Sequence, residues 1–277
     1  MAKRDRDTGS ALVSSIALSA VFAGLAVLSI QVALSDAFLT REFRQDVMVD
    51  AQLRTAFAEA LWELQRADAR PAYNQVFELE AGGAVFQAEY FSPSGQVDIN
   101  AASPSVLAPL LSAAGIPDAG AVAAAIADWR DPDDLTALQG SEAQAYRALD
   151  MAEPANAPFQ NERELGQVMG MPAGVLACLR NELTVSTRDA APDLSLSSDW
   201  LRAVFALGES GASQTRTLPV TVGSGDLVGL RLVRLEPASP YLEASILVRF
   251  TGSRAEPFWI QAWDVYHAAA PACEGAA

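Results

Sequence analysis

Residues 10–34 read SALVSSIALSAVFAGLAVLSIQVAL, a run of 25 residues without a charged side chain. The leader before it, MAKRDRDTG, carries a net charge of +1, because three basic side chains stand against two acidic ones. A bilayer span needs about 20 predominantly apolar residues, and basic residues beside a span tend to stay in the cytoplasm. The pattern therefore predicts a transmembrane helix over residues 10–34, with the C-terminal bulk outside the cytoplasm.

The junction between the leader and the apolar run resembles a type IV prepilin signal, in which a dedicated peptidase cuts after a glycine. Gly9 lies directly before Ser10, so cleavage there would keep the apolar helix as both membrane anchor and assembly surface. Pilins usually carry Glu at the fifth mature position, where this sequence has Ser14. A carboxylate inside the bilayer is costly without a partner. A subunit with no neighbour ahead of it does not need such a carboxylate. A cleaved secretory signal and a plain signal anchor are the alternatives.

The helix is expected to continue beyond the apolar run. Apolar side chains recur every four residues after residue 36, at Leu39, Phe43, Val47 and Ala51. This spacing is typical of an amphipathic helix, and no proline occurs in the apolar run or after it before Pro71. We interpret these residues as one continuous helix from about residue 10 to residue 66. The alternative for the same residues is a membrane anchor followed by a separate stalk helix.

The rest of the chain predicts a mixed fold. Residues 76–90 have the pattern of a β-hairpin around Gly82–Gly83, residues 101–185 favour short helices, and residues 218–267 contain four strand-like segments. We expect an α+β fold in which a pilin-like long N-terminal helix packs on an antiparallel sheet, with an inserted helical domain of SAM-like or helix-hairpin-helix-like type. The predicted parts are the leader (1–9), the transmembrane or assembly helix (10–34), its amphipathic continuation (35–66), a first β part (67–100), the helical insertion (101–185), a second β part (186–267) and a tail (268–277).

Composition excludes several functions. Acidic residues outnumber basic ones 34 to 19, which gives a net charge of −15. Such a charge repels nucleic acid, and residues 107–130, which hold the candidate helical hairpins, contain one basic residue, Arg130. The single histidine is His267, so we do not expect a histidine-based catalytic triad or a metal site built from several histidines. No acidic or hydroxyl residue has a spacing that marks it as a catalytic group, and we therefore expect a protein that is not an enzyme. From its charge, we expect that it does not bind nucleic acid.

Two groups of residues are candidate sites. The acidic stretch after Ala127 contains Asp131, Asp133 and Asp134, and Glu142 follows beyond Gly140. Carboxylates in a loop are ligands that Ca²⁺ prefers, so this stretch is a candidate calcium site; a solvated loop with helix-capping aspartates is the alternative. The two cysteines, Cys178 and Cys273, would pair in an oxidising compartment, while a buried free thiol at Cys178 is the other interpretation.

Several motifs, taken in order, resemble the minor pseudopilin K family of type II secretion systems. They extend over roughly the first two-thirds of the chain. The matching elements are Gly9–Leu12 with Ser14, Val97–Ala101 before Leu107, Leu110 and Leu111, Ala127–Asp134, Gly140, Glu142 and Tyr146, Asn156 and Pro158, Glu164–Leu165 and Val168–Met171.

This resemblance implies a protein without enzymatic activity that caps a short periplasmic fibre and takes part in protein export across the outer membrane. It implies cleavage after Gly9 by the prepilin peptidase, a single-pass position in the bacterial inner membrane, and contact with the inner-membrane assembly platform. The minor pseudopilins I and J are the expected partners. Two alternatives remain: a minor pilin that primes a different type IV filament, and a membrane-anchored periplasmic binding protein.

Overall fold

The structure is a computed structural model that describes residues 6–65, 71–133, 141, 143–172, 174–206, 219–220, 222–235, 241–270 and 273. Residues 1–5 of the predicted leader (1–9), and residues 271–272 and 274–277 of the predicted tail (268–277), lie outside this set. The chain divides into two compact units, Met1–Arg54 and Thr55–Ala277.

The first unit is helical. Helix α1 runs from Arg6 to Gln65, so its last turns belong to the second unit. Large apolar side chains that are described between residues 13 and 48 are exposed, for example Phe22 (63%) and Phe43 (69%). Among the residues that the structure describes, no helix is long and apolar enough to cross a membrane. The span over residues 10–34 stays a prediction.

The second unit contains a five-stranded antiparallel sheet with the order β1-β2-β5-β6-β7. The prediction that the fold combines helices with an antiparallel sheet is confirmed. Gly82 and Gly83 have φ angles of 59° and 78° in the tight turn between the first two strands, a conformation that favours glycine. The strands are β1 (Val76–Ala81), β2 (Ala84–Phe91), β3 (Val97–Asp98), β4 (Leu183–Thr184), β5 (Leu227–Arg234), β6 (Glu243–Phe250) and β7 (Phe258–Tyr266).

A helical block separates β2 from its sheet neighbour β5 in sequence. It includes the short parallel pair of β3 and β4, and its core is apolar: Leu110 and Ile126 are fully buried. Trp129 stacks on Phe159 with ring centroids 6.1 Å apart. The helices are α2 (Pro104–Ala113), α3 (Ala119–Arg130), α4 (Ala143–Ala148), α5 (Val175–Leu179) and α6 (Asp199–Ala206).

The last turns of α1 pack on the sheet. The Phe57 ring lies edge-on to Phe258 and Trp263 of β7, at centroid distances of 5.8 and 5.4 Å. On β2, the Tyr90 hydroxyl donates a hydrogen bond to the Ala60 carbonyl at 2.7 Å. Alternating side chains of the strands and one stripe of the helix thus form a shared core.

Two local predictions differ from the structure. The first of the four predicted strand-like segments covers residues 218–222, of which 218 and 221 lie outside the described residues, and the structure has an isolated bridge between Ala72 and Pro219 there. Pro219 has no N–H with which to extend a ladder. Among the short helices predicted within residues 101–185, the one that starts near residue 161 is a 3-10 helix, Glu162–Gln167, in the structure. At its N-terminus, the Asn161 side chain accepts a hydrogen bond from the Arg163 N–H.

Candidate functional site

A buried carboxylate organises the segment that opens the helical block. Asp98 is 1% exposed. Its Oδ1 accepts the Asn100 N–H at 2.8 Å. Its Oδ2 accepts the backbone N–H groups of Thr187 and Arg188 at 2.9 and 2.7 Å, and the Thr187 hydroxyl at 3.1 Å. We call this group the Asp98 hub; it joins two loops that lie about 90 residues apart in sequence.

Arg130, at the end of α3, completes the same region. Its guanidinium donates to the carbonyls of Ile99 and Ala102, the second at 2.6 Å. Burial lowers the pKa of this guanidinium, and the nearby carboxylates of Asp98 and Asp131 act in the opposite direction. The one basic residue of the helical hairpins is therefore engaged with backbone carbonyls of this chain.

The acidic stretch is only partly described. Asp131 follows the last residue of α3, and the Asp133 N–H donates to its carboxylate at 3.4 Å. The other two candidate ligands, Asp134 and Glu142, lie outside the described residues. Within the described part of the chain, no group of three or more His, Cys, Asp or Glu side chains is placed to hold a metal ion.

A second cluster, which we call the polar junction, connects the helical block to the sheet. Arg180, just after α5, forms an ion pair with Glu243 of β6, and the two side chains are 12% and 2% exposed. Arg231 of β5 faces the same carboxylate at 3.6 Å and is also paired with Glu89 of β2. The Tyr241 hydroxyl donates to Glu243 at 2.6 Å; burial and this hydrogen bond raise the pKa of Tyr241 to about 12.

The segment after β7 is attached to the helical block at the polar junction. Arg180 lies over the Tyr266 ring at 4.2 Å and donates to the Ala268 carbonyl at 3.1 Å. Cys178 and Cys273 are joined by a disulfide with a Cα–Cα distance of 5.1 Å. Since these residues are 95 positions apart, the bond closes a loop that contains β5, β6 and β7.

Replacing both cysteines by serine should lower the free energy of unfolding by about 2–5 kcal/mol, because a long loop would no longer be closed in the unfolded chain. Thermal unfolding followed by circular dichroism measures the change. Dithiothreitol should lower the midpoint of the unmodified protein and leave that of the Cys178→Ser/Cys273→Ser variant unchanged. An unaltered midpoint in the double variant would contradict the stabilising role.

Sequence reasoning did not identify the Asp98 hub or the polar junction. From the sequence, Asp98 is only one residue of the Val97–Ala101 motif that resembles the protein K family. The sequence nevertheless contains a signal for the hub: Asp98 lies between the apolar residues Val97 and Ile99. A carboxylate in such an apolar strand needs hydrogen-bond partners if it is buried. The prepilin residues Gly9 and Ser10 lie in the first turns of α1, and cleavage there stays a prediction.

Comparison with known proteins shows which proteins this chain is similar to. Residues 86–188 match the family model described as type II secretion system (T2SS), protein K. This segment contains every residue of the Asp98 hub as well as Arg130. The resemblance to protein K that the sequence indicated is therefore confirmed. No significant match was found among curated protein sequences.

A solved structure shares the fold. It comes from the crystal structure of the GspK-GspI-GspJ complex of the enterotoxigenic Escherichia coli type 2 secretion system. The match has a TM-score of 0.57 at 17% identity and covers 82% of this chain and 100% of the other.

Proposed function

We propose that the chain is a minor pseudopilin that caps the tip of the type II secretion pseudopilus, and that it takes part in pseudopilus assembly and protein export across the outer membrane. The match of residues 86–188 to the protein K family carries this proposal. The fold shared with the GspK structure over most of the chain supports it.

The finer architecture that goes with this function is a pilin-like domain with a helical insertion. The packing of Phe57 against the sheet supports a pilin-like arrangement of helix and strands. The position of α2 to α6 between β2 and β5 supports an inserted domain of SAM-like or helix-hairpin-helix-like type.

The tip position is supported by the sequence of the N-terminal helix. Position 14 holds serine where pilins usually have glutamate. A subunit with no neighbour ahead of it has no need of a buried carboxylate in the bilayer. The helical block adds bulk that would obstruct subunits stacked above it, so the end of the fibre is the place that suits this chain.

The proposed partners are the minor pseudopilins I and J, the prepilin peptidase and the inner-membrane assembly platform. The proposed location is the inner membrane, with residues 10–34 as a single span and the remainder in the periplasm. The Cys178–Cys273 disulfide is consistent with an oxidising compartment. A structural role without enzymatic activity or nucleic-acid binding agrees with the net charge of −15 and with the engagement of Arg130 by backbone carbonyls.

Maturation after Gly9 is the most accessible test of the pseudopilin proposal. Mass spectrometry of the protein from cells that contain a prepilin peptidase should give an N-terminus at Ser10. Gly9→Leu should leave the leader attached, whereas Gly24→Ala should be processed normally, because a Cβ at that helical glycine meets no atom within 4 Å. An intact leader on the unmodified protein would favour a plain anchor, and loss of the whole apolar run would favour a secreted protein.

We further propose that the acidic stretch binds calcium through Asp131, Asp133, Asp134 and Glu142. Isothermal titration with CaCl₂ should show binding that is lost in the Asp131→Asn/Asp133→Asn variant. Asp118→Asn, an exposed aspartate before α3, is the matched control and should bind as the unmodified protein does. Equal binding by both variants would assign calcium to a different place.

A further inference from the structure

A cleft lined by both polar and apolar groups lies at the end of the sheet where the helical block meets β2 and β5. Its volume is about 610 Å³, within the range of about 300–1,000 Å³ that is usual for small-molecule sites. Its lining includes the turn after β2, the loop after β4, the turn that leads into β5, and Arg249 of β6. None of the roles discussed above uses this cleft.

The walls of the cleft are held in place by hydrogen bonds within the chain. The Asp98 hub fixes the loop at Thr187. Gly95 approaches Leu196 so closely that an added Cβ would lie 2.3 Å from the Leu196 carbonyl oxygen. The Phe250 N–H donates to the Asp226 carbonyl at 2.9 Å. A preformed cleft has little ordering cost for a ligand.

The lining contains hydroxyl groups that form no hydrogen bond with the residues that the structure describes. Ser92 is only 7% exposed. No hydrogen bond from its hydroxyl to any described residue is present, and the same holds for Ser94 and Ser186. Each of these hydroxyls is able to donate and to accept. These hydroxyls are therefore free to form hydrogen bonds with a ligand that enters the cleft.

The charged groups of the lining favour a neutral ligand. Asp226 already accepts the Gly223 N–H at 2.6 Å, and Arg249 donates to the Gly225 carbonyl at 3.0 Å. Within the described part of the chain, the Asp189 carboxylate accepts no hydrogen bond. Two carboxylates and one guanidinium leave the cleft slightly negative, in a chain with a net charge of −15. An anionic ligand is therefore disfavoured.

We propose that this cleft binds a short, uncharged oligosaccharide. Sugar hydroxyls donate and accept hydrogen bonds, as do the hydroxyls of Ser92, Ser94 and Ser186. Neighbouring sugar hydroxyls would donate hydrogen bonds to the Asp189 carboxylate. The apolar side chains of Leu196, Pro219 and Leu227, which also line the cleft, suit the C–H faces of a pyranose ring. A peptide offers fewer hydroxyl groups and fits this lining less well. The site is independent of the role in secretion.

Saturation-transfer NMR and isothermal titration test the site on the full chain, in a detergent without a sugar head group such as lauryldimethylamine oxide. The probes are chitobiose, as a fragment of an N-acetylated cell-wall glycan, and cellobiose and maltose, as unmodified sugars. At least one probe should bind at millimolar concentration or below. Asp189→Asn and Ser94→Ala should each weaken binding at least fivefold.

Matched controls are Asp118→Asn and Ser112→Ala, which change exposed residues of the helical block and should leave binding unchanged. Binding of chitobiose alone would assign the site to N-acetylated glycans, and binding of cellobiose or maltose to unmodified sugars. Lack of binding by all three probes would overturn the proposal. So would binding that both cleft variants leave intact, or tighter binding of a short neutral peptide than of any sugar.

Discussion

Replacing Glu243 by Gln should lower the free energy of unfolding by about 3–5 kcal/mol, the loss typical of breaking a buried ion pair. Glu243 is 2% exposed and lies between the guanidinium groups of Arg180 and Arg231. Without its charge, both cations would remain desolvated; among the described residues, Arg231 would keep a second carboxylate, that of Glu89, and Arg180 would keep none. Urea denaturation followed by tryptophan fluorescence measures the loss.

Glu78→Gln provides the matched control. Glu78 is also in a strand of the sheet, but its side chain is exposed. We expect its free energy of unfolding to change by less than about 0.5 kcal/mol. A double-mutant cycle with Arg180→Met should give a coupling energy of about 1–3 kcal/mol. Equal stability of Glu243→Gln and Glu78→Gln, or a coupling near zero, would show that the polar junction does not hold the helical block to the sheet.

Asp98→Asn should lower the free energy of unfolding by about 3 kcal/mol, although it changes the shape of the side chain very little. Both carboxylate oxygens accept hydrogen bonds, and one of them accepts two backbone N–H groups. An amide has one carbonyl oxygen and two N–H donors. In either orientation, its nitrogen would therefore face N–H groups that donate, and these donors would lose their partner.

Tryptic cleavage is a specific readout of the Asp98 hub. The Arg188 N–H is one of the donors, so the substitution should release the loop and speed cleavage after Arg188. Asp118→Asn, at an exposed position that makes no capping hydrogen bond, should change neither stability nor the rate of cleavage. A rate at Arg188 that is the same in both variants would contradict the role of the hub.

The sequence predicted features that depend on local pattern. The hairpin around Gly82–Gly83 follows from alternation and from two residues that tolerate positive φ angles. The mixed composition of helices and antiparallel strands likewise follows from hydrophobic periodicity. The 3-10 helix at Glu162–Gln167 differs from the expected α-helix because periodicity over so few residues does not distinguish the two.

The pairings between distant residues were beyond sequence reasoning. Arg180 and Glu243 are 63 positions apart, and Asp98 and Arg188 are 90 apart. No local pattern specifies such partners, since they are set by how the helical block meets the sheet. The two cysteines were compatible with a disulfide or with free thiols for the same reason. The acidic stretch is conspicuous through its density of carboxylates, whereas Asp98, whose carboxylate accepts four hydrogen bonds from described residues, stands alone between apolar neighbours.

Association with the minor pseudopilins I and J is the most direct test of the proposed function. The full chain would be coexpressed with I and J of the same secretion system, and the purified material would be measured by native mass spectrometry. We predict one complex that contains all three proteins and that persists through size-exclusion chromatography. Elution of this chain by itself, or association only with the pilins of a different type IV filament, would contradict the assignment to the pseudopilus tip.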